Sequence, residues 1–430
     1  MQHGLNHPGS GLAASSAAAA SRTFLASLLV LTFLMNMVGR GITETFAVFL
    51  LPVERGLGAT RAEMAAAYSI FAMAYGFSAP FTGQLIDRFG ARVTYGFGLA
   101  VLGVGYALAG FSTSIWHYYI CVGLFGGFGA AALGMVVASS LLARWFTERI
   151  GAVMALPYAA VGAGMLLMPP LTQLLLARYG WRTTHQVLGV GVLLFIPLMM
   201  ALPLRRITEG SPAWQVRRQE AAQLPQGVWR VSTAIRTSAF WGLASAYFWT
   251  SVAAYSVLPQ SVAYLVEQGF DPLVAASAFG LTGALSVVGI ITIGWLSDRI
   301  GRKQAVSLSY VLSMLGTSSL ILVAIFPSML LVYGFVLFFG LMQGARGPVI
   351  LAFITVLFPG GGVGAIFGTM SLAMGVGAGL GSLASGWLHE ITGAYYASFL
   401  LGVMGSLLGL ASFWLVPSLR HERHATSAQD

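Results

Sequence analysis

Arg40, Glu44 and Arg346 are the residues of this chain best placed to do chemistry, because each sits near the middle of a long apolar run. A charge at the centre of a bilayer costs from about 3 to more than about 10 kcal/mol depending on method, so it is expected to face a cavity or a partner. Arginine suits a carboxylate, to which its planar fork offers two parallel hydrogen bonds. Glu44 follows Arg40 by four residues and shares its helical face. The pair reads either as a structural ion pair or as a site in which Glu44 holds Arg40, carries a proton, or does both. Arg346 stands among Gly344, Gly347 and Pro348. It either bonds the carbonyls of a glycine-broken helix or joins Arg40 on a substrate. Neutral groups at plausible cavity positions are Asn36, Tyr158, Tyr247, Tyr255, Gln260 and Gln343. Other chemistries find no support. Cys121 is the single cysteine and lies in an apolar stretch, which leaves no disulfide framework and no thiolate metal site. His117 and His185 have no second ligand nearby in sequence, so no metal site is expected. No Ser/His/Asp set is recognisable at membrane depth, so neither an enzyme nor a cofactor is expected. The glycines of GLFGGFGAAALG and GVGAGLG lie inside apolar runs, with no Lys-Ser/Thr after them, and read as close helix packing rather than phosphate loops.

These residues need a membrane to position them. Of 430 residues, 57% are hydrophobic and 8% charged, against about 25% charged in an ordinary soluble domain. A mean hydropathy of +0.81 exceeds what one soluble core can bury, because cores stop growing near about 250–300 residues. With about 20 apolar residues needed per spanning helix, spans fall near 24–51, 62–85, 93–112, 116–142, 150–176 and 185–204. After a polar interval they resume near 239–266, 273–297, 304–326, 329–357, 363–388 and 393–417. The fold expected is an all-α membrane protein, twelve helices in two six-helix bundles, 24–204 and 239–417. Residues 1–23 and 418–430 read as cytoplasmic tails, the first of them disordered. The interval 205–238, with Arg205, Arg206, Arg217, Arg218, Arg230 and Arg236 and the breakers Pro212 and Pro225, reads as a cytoplasmic linker. Its stretch from Trp229 to Trp241 suits an amphipathic helix on the membrane surface. With the amino terminus inside, sixteen of the 22 Lys and Arg lie on cytoplasmic segments, and only Arg55, Arg61, Arg178 and Arg182 on periplasmic loops. That bias sets the orientation. The formal charge of +9 thus points to anionic lipid headgroups, not to nucleic acid.

The halves are related. A shift of 211 residues places Gly83, Asp87, Arg88, Gly90 and Arg92 on Gly294, Asp298, Arg299, Gly301 and Lys303. The two segments, GQLIDRFGAR and GWLSDRIGRK, occupy the short loop between the second and third span of each half. A glycine there admits a neighbouring helix, Asp87 and Asp298 can each face the positive amino end of a helix, and the basic residues, Arg302 among them, reach headgroups or carboxylates. The repeated loop G-x-L-x-D-R-x-G-R-[RK] resembles the signature loop of the major facilitator superfamily, over the whole stretch from Phe24 to Pro417. The resemblance implies alternating access, a gate formed by these loop residues that favours the outward-open state, and a central cavity lined by spans 1, 4, 7 and 10. The first copy departs from the pattern at Ala91, where Arg is usual.

A finer resemblance is to the monocarboxylate porter and oxalate–formate antiporter-like branch. It rests on RWF at Arg144, the paired Pro169-Pro170, GWR ending at Arg182, FAVFLLPVERGLGATRAEMAAAYSIF, and GARGP in the tenth span. It implies a small organic anion, a mono- or dicarboxylate, moved with a proton; the carrier is expected to be a monomeric multi-pass protein, and the absence of Asn-x-Ser/Thr acceptors is compatible with a bacterial inner membrane. The branch often carries an Arg in its eighth span, where this chain has Gly289-Ile290, and the eleventh span, 363–388, lacks the Lys of oxalate-type carriers. Arg40 and Arg346 are therefore the cations expected to clamp the substrate, with Glu44 tuning or protonating the site. The alternative is a drug/proton antiporter of the same fold. Its usual Arg in span 4 and G-x-x-x-G-P-x-x-G-G run in span 5 are missing, the latter replaced by GAGMLLMPP.

Overall fold

A computed structural model describes residues 9–146, 150–202, 204–211, 214–215, 230–358 and 363–420, and among them every regular element is helical. Helix α1 is Gly9–Glu44, continued past a break at Thr45 as Phe46–Leu57. The run Arg61–Ala109 is two helices, α2 (61–89) and α3 (91–109), divided at Gly90, whose φ of 80° is left-handed and suits a residue without a Cβ. Helix α4 covers Ile115–Trp145, with a π-helical turn at Tyr119–Phe125 and a break at Gly134. The run Ile150–Met200 divides at Gly180 (φ 74°) into α5 (150–179) and α6 (181–200). In the second half α7 is the pair Ser238–Tyr255 and Leu258–Glu267, α8 is Pro272–Ile300 and α9 is Arg302–Val323. Helix α10 is Met329–Met342 resumed as Arg346–Leu357, α11 is Val363–Thr392 and α12 is Tyr396–Leu415. Nine runs among the described residues are long and apolar enough to cross a membrane. Dividing two of them at Gly90 and Gly180, and adding α7, makes twelve. An even number returns the chain to its starting side, called here the terminal side; the opposite one is the far side.

Local signals explain the starts. Thr60 and Glu63 form a reciprocal capping box that opens α2. Asp271 accepts from the amides of Leu273 and Val274 at 2.8 and 3.2 Å, with Pro272 at the first helical position of α8. Two departures from the sequence expectations have physical causes. Helix α1 begins at Gly9, inside the segment expected to be disordered, because its alanines are the strongest helix formers. The surface helix expected from Trp229 to Trp241 is a single turn, Val231–Ala234, since Thr237 caps the start of α7 by accepting from Phe240 N and ends the run; Trp229 lies outside the described residues. So do Pro212, Arg217, Arg218 and Pro225 of the linker and residues 421–430 of the carboxyl tail.

Packing follows the two-bundle plan. One buried cluster is drawn chiefly from the first half, including Leu31, Phe49, Tyr95 and Leu102, and a second from the second half, including Phe240, Tyr310, Phe353 and Phe413. A third joins Ala47, Val48 and Met165 to Leu258, Val262 and Phe279 across the halves. Between them α2 and α11 approach backbone to backbone: a Cβ on Gly76 would stand 2.9 Å from the Gly375 Cα. In lipid, where apolar contact itself drives little, such small-residue approaches supply the packing. The outer surface carries Phe81, Leu194, Trp241 and Leu330, all more than 60% exposed and suited to lipid.

Candidate functional site

Arg40 and Glu44 lie on the last turns of α1 before its break at Thr45, and Tyr255 is the last residue of α7 before its own break. The breaks bring these side chains together at the interface of the halves. The Arg40 Nη2 lies 2.5 Å from the Glu44 Oε1 and donates to the Tyr255 hydroxyl at 2.8 Å. Glu44 is 3% exposed, whereas the Arg40 side chain keeps 20% of its surface open. On an exposed helix an ion pair of this spacing contributes about 0.3–0.5 kcal/mol. Here the carboxylate is buried, and stripping a buried charge of its partner costs about 3–5 kcal/mol. Tyr68 and Tyr75 of α2 lie within electrostatic reach of Arg40, and the Tyr68 ring packs 5.8 Å from that of Tyr255. The site is one guanidinium, one carboxylate and a set of phenols.

Arg346 does not join them. Its Nε donates to the Ser309 hydroxyl at 3.0 Å, and its Nη2 donates to the Ser309 carbonyl at 2.8 Å and to the Ser313 hydroxyl. The Tyr310 ring lies 4.2 Å beneath the guanidinium. Arg346 is 5% exposed and is spent on fastening the break of α10 to α9. The expected two-arginine clamp is therefore absent from this arrangement, because two serines and a tyrosine on one face of α9 outcompete the cavity. Of the neutral candidates, Asn36 donates to Thr32 O within its own helix at 2.9 Å. Tyr158 is half-buried on α5, within electrostatic reach of Tyr75 and Tyr247. Gln343, at the break of α10, donates to the Met165 sulfur at 3.8 Å, and its Oε1 has no hydrogen-bond partner among the described residues. Gln260 faces the far side instead, where Arg61 donates to it at 3.3 Å.

Among the described residues, the hydrogen bonds that join the halves cluster at this site and beyond it toward the far side. Arg61 opens α2 as the residue after its cap, and its Nε and Nη2 pair with Glu54 at 2.7 Å and Glu267 at 2.9 Å. Its Nη1 donates to Tyr395 and Gln260. Next to it, Ala62 N donates to Glu390 at 3.2 Å and the Ser382 hydroxyl to Ala65 O at 3.2 Å. On the terminal side the signature loop is built differently from expectation. Asp87 is exposed and pairs with Arg144 of α4 at 2.6 Å rather than capping a helix. The amino end of α3, at Ala91 N, is capped by the Thr208 hydroxyl at 2.9 Å. Thr208 belongs to Leu204–Glu209, a helix of the linker's start, whose carbonyls at Ile207 and Thr208 accept from Trp145 and Arg144. Gly90 permits this docking, since a Cβ there would meet the Thr208 Cγ2 at 2.9 Å. Gly83 has only Val136 near the Cβ position, Arg88 stacks on Phe89, and Arg92 reaches the Met200 sulfur at 3.1 Å. In the second copy Gly294 is open, Asp298 is exposed, Arg299 lies 4.1 Å from the Trp295 ring and Arg302 begins α9 after Gly301 (φ 92°).

Comparison with known proteins bears on this architecture directly. The model of the Major Facilitator Superfamily matches residues 28–345 and, in a second match, 262–430. The chain is 27% identical over 409 residues to bovine (Bos taurus) "Monocarboxylate transporter 13", covering 93% of this chain and 92% of that protein. It is 24% identical over 405 residues to an uncharacterised MFS-type transporter of Bacillus subtilis, covering 92% and 96%. Among solved structures, a D-xylose-proton symporter superposes with a TM-score of 0.72 at 16% identity, covering 92% of this chain and 99% of that one. That likeness concerns the fold. Twelve helices in two bundles, a repeated D-R-x-G loop and family-model matches running from residue 28 to 430 agree: the chain belongs to the Major Facilitator Superfamily and is a transporter resembling its monocarboxylate branch.

Proposed function

We propose that this transporter carries a small organic monocarboxylate with a proton, and that Arg40 is the group that binds the carboxylate. The observation that carries the reading is the state of the Arg40 Nη2, which is ion-paired with the Glu44 Oε1 at 2.5 Å and donates to the Tyr255 hydroxyl at 2.8 Å. A guanidinium has two bidentate faces, one using Nη1 and Nη2 and one using Nε and Nη2, so every fork onto a carboxylate needs Nη2. A substrate carboxylate must displace Glu44, and displacement strands a buried charge unless Glu44 takes a proton. Proton and anion then bind as a couple: each favours the other by the same factor. Arg346 is occupied by α9, which leaves Arg40 as the single cation at the cavity among the described residues and favours one carboxylate over two. The names of the curated relatives point the same way, and the terminal side is the cytoplasmic one on the charge bias.

The direct test is uptake of radiolabelled short-chain monocarboxylates and dicarboxylates by proteoliposomes containing the purified protein, with and without an imposed pH gradient. Monocarboxylate accumulation that follows the pH gradient is expected. Uptake of a lipophilic cation in exchange for protons, with no carboxylate flux, would remove the reading.

The terminal-side loop acts on rate rather than on binding. Asp87→Asn leaves Arg144 held by Thr208 O and Ser140, so the fold persists, but it removes the ion pair that ties α2 to α4. Transport turnover is expected to fall several-fold while equilibrium substrate affinity stays within about twofold, because Asp87 is exposed on the terminal side and lies outside the cavity. Normal turnover with lost binding would assign Asp87 to the cavity instead.

A further inference from the structure

The far-side contacts of Arg61 are arranged unlike those of a loop charge that merely sets topology. The residue is 5% exposed, and all three of its nitrogens are engaged. Of its four partners only Glu54, at the end of α1, belongs to the first half. Glu267 and Gln260 stand at the far end of α7, and Tyr395 precedes α12. Glu390 of α11 adds a fifth tie by accepting from Ala62 N, one of the unpaired amides at the start of α2.

We propose that Arg61 is the far-side lock of the transport cycle. It holds the far ends of the halves together while the cavity communicates with the terminal side, and its release from Glu267, Gln260 and Tyr395 opens the far side. Alternating access about a central site requires the halves to rock as bodies, and these three bonds must all break when they do. The two carboxylates have separate roles. Glu54 travels with Arg61 and keeps the guanidinium paired in both states, so opening never strands a bare buried charge. Glu267, whose side chain is already 33% exposed, rehydrates readily when Arg61 leaves. A lock with both carboxylates on the second half would hold too tightly to cycle. A lock with neither would not bias the equilibrium.

The roles predict an asymmetry between the acids that a purely structural cluster lacks. The experiment measures spin-label distances across the far side in lipid nanodiscs, in a Cys121→Ser background. Labels go on Thr113→Cys, in the loop before α4, and Phe326→Cys, in the loop before α10, both exposed. No substrate is needed, so the outcome is independent of which anion is carried. Glu267→Gln and Tyr395→Phe are each expected to raise the ratio of long- to short-distance populations by about tenfold. Arg61→Gln is expected to raise it by about thirtyfold or more, the scale of breaking a buried charge pair on one side. Glu54→Gln is expected to leave the ratio within about twofold. Unchanged distances in Glu267→Gln and Tyr395→Phe overturn the lock, and so does an equal shift in Glu54→Gln, which would make the cluster a general brace. The two conservative variants carry the test if Arg61→Gln does not fold.

Discussion

Arg40→Lys is expected to bind the transported carboxylate at least about thirtyfold more weakly than the native protein, measured at equilibrium on purified protein. The charge survives, but the chemistry of the fork does not. Lysine offers a compact ammonium on a flexible stem, and it cannot present two parallel hydrogen bonds from one planar group to a carboxylate guest. Breaking one side of a buried, hydrogen-bonded charge pair costs about 2–5 kcal/mol, and the lower figure already gives that factor. The α1 helix should still insert and fold, since Glu44 keeps a cation four residues away. Arg346→Lys provides the contrast. Its bonds run to Ser309 and Ser313 and to the Tyr310 ring, so the loss should appear as a lower melting temperature with affinity little changed. If Arg40→Lys binds as tightly as the native protein, Arg40 is a structural residue and the site lies elsewhere. If Arg346→Lys loses affinity while its stability holds, the two-arginine clamp returns.

The contrast between these arginines marks the limit of what the sequence discloses. Both are central charges in apolar runs, and nothing in their own neighbourhoods separates them. What separates them is the company α9 provides, Ser309, Tyr310 and Ser313, 33 to 37 residues upstream of Arg346. Small hydroxyl residues in a span carry no signal of their own, since most of them bond their own helix, as Thr32 and Thr43 do. Arg40 and Glu44 were legible because they are four residues apart on one helix, whereas Tyr255 lies 215 residues from Arg40 and was only one of several polar candidates. Arg61 reads in the sequence as an orienting loop charge, and neither the cap that Thr60 and Glu63 form around it nor the second half across the interface is disclosed there. Arg144 was visible only as part of a resemblance. Its pairing with Asp87 and its grip on Thr208 depend on how the linker folds back onto α3 and α4. The twelve spans emerged from length and hydropathy alone because lipid demands that every backbone group be paired within the segment. The breaks within α1, α4 and α7 did not, since a single small residue inside a span is compatible with either a straight or an interrupted helix, whereas Gly344, Gly347 and Pro348 offered a broken α10 as one reading.

Those breaks place Glu44 where its protonation has the largest effect, and Glu44→Gln is expected to abolish accumulation driven by a pH gradient while sparing substrate exchange. The neutral amide imitates the protonated acid. It no longer claims the Arg40 Nη2 as an anion, so the fork stands ready for a carboxylate without a proton having to arrive first. Binding and one-for-one exchange need nothing more than that fork and the rocking of the halves. Accumulation needs the proton to be carried, because a gradient of one pH unit holds about 1.4 kcal/mol per proton, enough for about tenfold concentration of an anion moved with it. The sign follows from the competition for Nη2. In the native protein the anion enters most readily from the acidic side, where Glu44 is protonated, and leaves on the alkaline side, where the recharged Glu44 reclaims Arg40. In Glu44→Gln that preference is gone, and internal substrate should rise only to its external level whatever the pH gradient. Proteoliposomes preloaded with unlabelled substrate measure exchange, and empty ones under an imposed gradient measure accumulation. If Glu44→Gln still concentrates the anion in response to the gradient, the coupling proton travels on another group and Glu44 serves only to hold Arg40 in place. If exchange is lost as well, the ion pair with Arg40 is needed to shape the cavity, and its role precedes any proton.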